Sequence, residues 1–168
     1  MNEKKYYIAY GSNLSRPQMA RRCPGARVVG SAVLEGWQLL FGYYATVEPA
    51  SGKSTPVLVW EIDPQQEQRL DEYEDYPRLY YKQELTVDCT PLEGGAPQRL
   101  TAMIYRMEPR PWEFPSFSYY QGLEEGYQDL GLPLHPLEQA LADSMGRAEA
   151  FAWLAEYRRT APHPVWED

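Results

Sequence analysis

The sequence predicts an α+β fold with a mostly antiparallel sheet, and three observations lead to this prediction. Six short runs of aromatic and β-branched residues are typical of strands, and few helical patterns come between them. Glycine and proline clusters separate these runs, as they do in hairpins. With 168 residues, of which 43% are hydrophobic, residues 1–168 suffice for a single domain that buries its own core.

The predicted strands follow from their composition and from the turn residues around them. The first strand, residues 6–10, stops at a Gly-Ser-Asn sequence. A Glu35-Gly36 turn is expected between the second and third strands, and residues 48–56 are expected to form a loop. Residues 91–97 are expected to join the last two strands as a hairpin. The five strands predicted after the first are residues 27–34, 37–44, 57–62, 79–89 and 98–107.

The first two helices are predicted from capping residues. Ser15 is a suitable N-cap for a helix over residues 16–22. Asp63 is a suitable N-cap for a helix over residues 64–75, and Gln66 completes a capping box. Both helices have proline in the first turn, where its missing N–H group costs no hydrogen bond.

Two further helices are predicted in the last third of the chain. Ser116 is expected to begin a helix that ends at Gly131. Residues 136–159 are expected to form one longer helix, which Gly146 weakens in its middle. The tail, residues 160–168, is expected to be loosely held.

Composition and charge argue against several classes of partner. The net charge of −8 repels phosphate backbones and anionic lipid, so we expect no nucleic acid and no membrane partner. The sequence shows no apolar targeting segment, and we expect a cytoplasmic protein. Cys23 and Cys89 are expected to be free buried thiols, although a disulfide between them stays open. The sequence has no metal-ligand spacing, so no metal is expected.

The stretch after the first strand is the first candidate binding site. Gly11 allows a sharp turn, and the N–H groups at the start of the following helix can bind an anion. On these residues alone, a strand-to-helix connection without a ligand is an equally good interpretation. Ser12 lacks the Gly-x-Ser-x-Gly context and an evident histidine base, which disfavours it as a nucleophile.

Glu74 is the second candidate site residue. The predicted helix 64–75 has one apolar stripe, formed by Leu70, Tyr73 and Pro77, and Glu74 occupies the i+4 position of this stripe. Burial among tyrosines and the like charge of Asp75 are both expected to raise the pKa of Glu74, which suits a general acid or base. A buried glutamate that only bonds tyrosine hydroxyls is an equally weighted alternative.

Several motifs, in this order, resemble the gamma-glutamylcyclotransferase-like family over roughly residues 5–135. The most specific is Tyr10-Gly-Ser-Asn-Leu14, which an arginine-rich helix follows. The weaker motifs are Ala45-Thr-Val47, Val57-Leu-Val-Trp60, Leu70-Asp-Glu-Tyr-Glu74, Pro115-Ser-x-x-Tyr119 and Gly131-Leu-Pro133. Residues 136–168, the last helix and the tail, lie outside the resemblance.

The resemblance implies a fold and a set of site residues. The implied fold is a small mixed, mostly antiparallel six-stranded β-barrel with flanking helices, and its pocket lies at the end of the first strand. Glu74 matches the catalytic glutamate of the family, and Tyr119 is expected to contribute to the pocket. The implied substrate-binding loop consists of Tyr10, Gly11, Ser12, Asn13 and Leu14.

The resemblance also implies a reaction on a small γ-glutamyl substrate. The α-amine of the γ-glutamyl group attacks the γ-carbonyl, and the products are 5-oxoproline and a free amine. This ring closure needs no enzyme nucleophile and no cofactor, because it is intramolecular. Glu74 is expected to act first as base and then as acid. Removal of a γ-glutamyl protecting group from a biosynthetic intermediate and a non-catalytic binding module on the same fold stay open as alternatives.

Two positions depart from the pattern of the glutathione-pathway members of the family. Asp75 follows the glutamate where those members have glycine, and Pro56 replaces a glycine before the central strand. Both departures bear on which substrate is expected more than on the chemistry of the reaction. The extra carboxylate of Asp75 predicts a preference for a cationic leaving group.

Overall fold

The computed structural model describes residues 3–108 and 111–162, and its strands form one mixed sheet. The strand order is β2-β3-β1-β5-β4; β1 runs parallel to β5, and the other neighbours are antiparallel. The α+β class and the mostly antiparallel sheet are therefore confirmed. The strands are β1 (Lys5–Ala9), β2 (Arg27–Gly42), β3 (Tyr44–Ile62), β4 (Tyr80–Cys89) and β5 (Gln98–Met107).

The prediction of six strands is wrong, because β2 and β3 form one long hairpin in the described part of the chain. Gly36 has a φ of +80° and lies at a shift in register between Glu35 and Trp37, so the expected turn is a bulge within β2. The expected loop 48–56 belongs to β3. Strand β1 pairs only with residues 58–62 of β3, so the prolines earlier in β3 have a partner strand on one side only.

The sheet is not closed into a barrel by a continuous ladder. Its two edge strands, β2 and β4, meet through Ser31 and Thr90, whose backbones exchange two hydrogen bonds of 2.8 Å each. The contact lies just beyond Cys89, the last residue of β4. The sheet is therefore curled enough to bring its edges together at this pair, and the barrel implied by the family resemblance is not completed.

Gly30 is expected to be essential for this edge contact. A Cβ atom at Gly30 would lie 2.2 Å from the carbonyl oxygen of Thr90 and 2.9 Å from the sulfur of Cys89. Because the nearest atom belongs to the backbone, Gly30→Ala must push the strands apart, and we expect the free energy of unfolding to fall by about 1–3 kcal/mol. Urea denaturation measures this loss. Ser31→Ala keeps the backbone bonds and is the control; equal stability of the two variants would contradict the expectation.

The predicted helix starts are confirmed by their caps. The side chain of Ser15 accepts a hydrogen bond from the backbone of Gln18, and Asp63 and Gln66 form the expected capping box. The Ser116 side chain accepts from the backbone N–H of Tyr119. The helices are α1 (Arg16–Arg22), α2 (Pro64–Tyr73), α3 (Phe117–Asp129), α4 (His135–Met145) and α5 (Arg147–Thr160).

The prediction of one helix over residues 136–159 is wrong. Gly146 has a φ of +101° and separates α4 from α5, so this glycine ends a helix instead of only weakening it. The expected loose tail begins where α5 ends, and its residues 163–168 lie outside the described residues. None of the described helices has the length and apolar character needed to cross a membrane.

Helix α3 packs closely on a short 3₁₀ turn, Ser12–Leu14, that follows β1. A Cβ atom at Gly126 would lie 3.0 Å from the backbone nitrogen of Ser15 and 3.1 Å from the Cβ of Leu14. The helix therefore lies directly against the turn, and its Tyr119 and Leu123 side chains reach Gly11. Cys23 and Cys89 are free and buried, as expected.

Candidate active site

A cavity of about 370 Å³ lies beyond the end of β1, between the Ser12–Leu14 turn, the end of α2 and helix α3. Its polar lining includes the turn residues, the carboxylates of Glu74 and Asp75, and the guanidinium group of Arg78. Aromatic rings form much of the wall. The tyrosines that line the cavity are Tyr7, Tyr10, Tyr44, Tyr73, Tyr80, Tyr105 and Tyr119.

Gly11, Ser12 and Asn13 line this cavity. Gly11 has a φ of −119°, so the turn does not require a left-handed backbone at this position. Instead, a Cβ atom there would lie 3.5 Å from the hydroxyl of Tyr119, which leaves little room for a larger side chain. The backbone N–H groups of all three residues donate to no acceptor within the described part of the chain, so they are available to a ligand.

The other two members of the predicted loop have different surroundings. The Tyr10 ring lines the cavity, and its hydroxyl donates to the carbonyl of Tyr105 at 2.7 Å. Leu14 is fully buried, packs against Gly126 and does not line the cavity. The expectation that Leu14 helps to bind the substrate therefore does not hold for its side chain, which belongs to the core.

The side chain of Asn13 is used to hold the turn in place. Its Nδ2 group donates to the hydroxyl of Tyr7 at 2.9 Å, and its Oδ1 atom accepts from Arg22 at 2.7 Å. Its backbone carbonyl accepts from the indole of Trp60 at 3.0 Å. Both ends of this amide are already bonded, and the Ser12 hydroxyl contacts Arg22 and Tyr73, so the backbone N–H groups are the polar groups of the turn that remain available to a ligand.

The tyrosine walls are fixed by hydrogen bonds to the backbone of β3. The Tyr119 hydroxyl accepts from the N–H of Ala45 at 3.1 Å, and the Tyr80 hydroxyl donates to the carbonyl of Ala45 at 2.7 Å. Burial raises the pKa of both hydroxyls well above the usual value. These tyrosines are therefore neutral near pH 7, and they shape the cavity without adding charge to it.

Glu74 directly follows the last residue of α2, and its N–H still donates to the carbonyl of Leu70 at 2.8 Å. The helical period thus continues through Glu74, and the side chain lines the cavity, as the apolar stripe predicts. Its carboxylate forms no hydrogen bond or ion pair with the described residues. The alternative in which Glu74 only bonds tyrosine hydroxyls is therefore not what the structure contains.

The surroundings of Glu74 favour its protonated form more than water does. Desolvation by burial raises the pKa of its carboxyl group from 4.5 to about 7, and the positive charge of Arg22 opposes part of that rise. Near neutral pH the residue therefore exchanges readily between a carboxylate and a carboxylic acid. This is the property that a group needs in order to accept a proton and return it.

Asp75 does not have the effect on Glu74 that we expected. Burial and Arg22 account for the pKa of Glu74, while Asp75 forms an ion pair with Arg78 at the edge of the cavity. Asp75 has a φ of +53°, which explains why glycine suits this position. Because Arg78 counters its charge, the expected attraction for a cationic leaving group is reduced.

The pKa of Glu74 predicts that this residue lowers stability at alkaline pH. Its folded pKa of about 7 lies above its ordinary value of 4.5, so stability falls as the pH rises through this interval. We expect Glu74→Gln to increase the free energy of unfolding by up to about 3 kcal/mol at pH 8 and by little at pH 4. Urea denaturation at the two pH values tests this, with Glu72→Gln on the exposed face as control. An equal effect of Glu74→Gln at both pH values would contradict it.

Comparisons with known proteins agree with the observed fold. Residues 7–122 match the family described as Gamma-glutamyl cyclotransferase, AIG2-like. The chain belongs to this family. The matched range includes the turn, Glu74 and Tyr119, so all the candidate residues lie within the family domain. No curated protein matches the sequence of this family member significantly.

Several solved structures share the fold of this cyclotransferase-family chain. A structure named Gamma-glutamyl cyclotransferase has a TM-score of 0.69 and 26% identity, over 92% of this chain and 99% of its own. An uncharacterized protein from Homo sapiens has a TM-score of 0.67 and 24% identity, over 96% and 90%. YkqA from Bacillus subtilis has a TM-score of 0.60 and 21% identity, over 75% and 49%. The last two comparisons show the fold alone.

Some residues around the cavity were not predicted from the sequence. Tyr7 and Tyr105 come from β1 and β5, and Arg22 lies in the last turn of α1. A basic residue in that position usually stabilises the C-terminus of its helix, so the pattern does not single out Arg22. The tyrosines are two of fourteen in the chain, and only the pairing of the strands shows which of them face the cavity.

Proposed function

We propose that this chain is a cyclotransferase that releases 5-oxoproline and a free amine from a γ-glutamyl amine, amino acid or peptide. One observation carries the proposal: a glutamate with a pKa of about 7 lines the same cavity as three residues of the turn, and neither its carboxylate nor their backbone N–H groups have a partner among the described residues. A base and an anion-binding turn are the two groups that an intramolecular aminolysis requires. Membership of the family supports this assignment.

In the proposed reaction Glu74 moves one proton from the attacking nitrogen to the leaving nitrogen. The carboxylate of Glu74 takes a proton from the α-amine as the amine forms a bond to the γ-carbonyl carbon. The resulting carboxylic acid then protonates the leaving nitrogen, and the bond between carbon and that nitrogen breaks. Glu74 ends in its starting form. Because nucleophile and carbonyl belong to one molecule, the cavity has only to hold the conformer in which they meet.

The turn is proposed to bind the negative charge of the substrate or of the transition state. The N–H groups of Gly11, Ser12 and Asn13 are free of partners in the described chain, and the Ser12 hydroxyl lies beside them. Such donors stabilise the α-carboxylate or the oxygen anion that develops on the γ-carbonyl. The tyrosine walls are neutral, and surroundings of lower polarity than water strengthen these interactions.

A screen of γ-glutamyl compounds tests the proposed function. The purified protein is incubated with γ-glutamyl amino acids, γ-glutamyl amines and γ-glutamyl peptides, and 5-oxoproline is measured by mass spectrometry. We expect release of 5-oxoproline from at least one class of compound. Binding of a γ-glutamyl compound without turnover would favour the non-catalytic module, and release confined to one elaborate intermediate would favour the removal of a protecting group.

A further inference from the structure

Arg22 contacts both halves of the candidate site although it does not line the cavity. Its Nη1 group donates to Ser12 Oγ at 2.8 Å and to Asn13 Oδ1 at 2.7 Å. Its guanidinium carbon lies 3.8 Å from the centre of the Tyr73 ring, and the Tyr73 hydroxyl lies 3.1 Å from Ser12 Oγ. Arg22 therefore joins the anion-binding turn to the residue that precedes Glu74.

The charge of Arg22 is not matched by a carboxylate close to it. The side chain is partly buried, yet no Asp or Glu oxygen of the described residues lies within the 4.0 Å of an ion pair. By contrast, Arg16 on the same helix pairs with Asp129 at 2.7 Å. A partly buried cation without a paired carboxylate among the described residues is costly, so the position of Arg22 behind the site indicates a role there.

We propose that Arg22 is a positioning residue of this site, which holds the turn against the end of α2 and places a positive charge beside Tyr73, the residue that precedes Glu74. The proposal rests on the proposed function of Glu74. Its geometric part follows from the two hydrogen bonds and the ring contact, which fix the Ser12 hydroxyl relative to Tyr73. Its electrostatic part follows from the sign of the charge, because a nearby cation favours ionisation of a carboxyl group.

Among the described residues, Arg22 is the charged group that acts on the ionisation of Glu74. The tyrosine hydroxyls that interact with Glu74 have a raised pKa because of burial, so they are neutral near pH 7. Asp75 and Arg78 form an ion pair with each other. The tyrosines around Glu74 are Tyr7 on β1, Tyr10 directly after β1, Tyr73 on α2, Tyr80 on β4, Tyr105 on β5 and Tyr119 on α3. Removal of the Arg22 charge is therefore expected to raise the pKa of Glu74.

Direct titration of Glu74 tests the electrostatic part without any substrate. The protein is labelled with ¹³C at the glutamate side-chain carboxyl groups, and Glu74→Gln identifies the Glu74 resonance. We expect Arg22→Met to move the titration of Glu74 to higher pH, and Arg22→Lys to restore it toward the wild-type value. Arg21→Met removes the same charge from the exposed neighbour and is expected to leave the titration unchanged.

The kinetic part of the test uses the same variants and the release of 5-oxoproline. At pH 7 we expect Arg22→Met to lower kcat/KM by about 10²-fold, because the turn loses its support and less Glu74 is ionised. Part of this loss should be recovered at pH 9. Arg22→Gln removes the charge with a polar side chain and repeats the test if the methionine variant does not fold.

The result that would overturn the proposal is a folded Arg22→Met variant in which Glu74 titrates as in the wild type. A kcat/KM pH profile that Arg22→Met leaves unchanged would also overturn it. Failure of the proposed function has a different signature, since the wild-type protein would then release no 5-oxoproline. The titration of Glu74 would still report whether Arg22 controls its ionisation.

Discussion

Glu74→Gln is expected to lower the rate of 5-oxoproline release at pH 8 by about 10²- to 10⁴-fold, the range typical of a lost general base. The amide has nearly the same shape as the acid but can neither accept the proton of the α-amine nor return it. Since the Glu74 carboxylate has no bonded partner in the described structure, the substitution removes no supporting hydrogen bond. The loss should therefore appear in kcat, with little change in substrate affinity.

The wild-type pH profile and one control variant complete this test. Release should increase as the pH rises through about 7, where Glu74 loses its proton, and the Gln variant should lack this step. Glu72→Gln changes an exposed neighbour of equal charge and should behave like the wild type. A Glu74→Gln variant with wild-type turnover would show that another group moves the proton.

Gly11→Val is expected to lower kcat/KM by about 10²-fold, the size of effect that small misplacement in a site produces. A Cβ atom at Gly11 would already lie 3.5 Å from the Tyr119 hydroxyl and 3.7 Å from the Cβ of Ala45. The two methyl groups of valine extend beyond that position, so they must displace the turn or Tyr119. Steady-state kinetics with the best γ-glutamyl substrate measures the loss.

Gly11→Ala provides a graded control for the valine variant. Its single methyl group meets the neighbouring atoms at ordinary contact distances of 3.5 to 3.7 Å, so its effect on kcat/KM should be clearly smaller. Circular dichroism shows whether each variant is folded. A folded Gly11→Val protein with wild-type kcat and KM would show that the turn does not bind the substrate.

The sequence predicted those parts of the site that depend on a single strand or helix. The aromatic run that stops at Gly-Ser-Asn placed the end of β1, and the capping box placed the start of α2. The period of α2 then brought Glu74 to the cavity, since its N–H still bonds to the carbonyl of Leu70. These features need only neighbours along the chain, so a sequence pattern contains them.

Features that depend on partner strands could not be predicted in the same way. Gly36 and the prolines of β3 are residue types that usually end a strand. In the structure Gly36 lies at a bulge of β2, and the prolines have a partner strand on one side only. Leu14 shares its motif with the lining residues, yet contact with Gly126 places it in the core. Arg22 and Tyr105 reach the site only through the packing of separate elements.

The ring closure itself is the central claim, and product analysis in H₂¹⁸O tests it most directly. The protein is incubated with a γ-glutamyl substrate in labelled water, and the released acyl product is identified by mass spectrometry. Attack by the α-amine of the substrate predicts 5-oxoproline without ¹⁸O, in equal amount to the released amine, because no water enters the product. Glutamate that carries ¹⁸O would contradict the account, since it would show that water, and not the α-amine, attacks the γ-carbonyl.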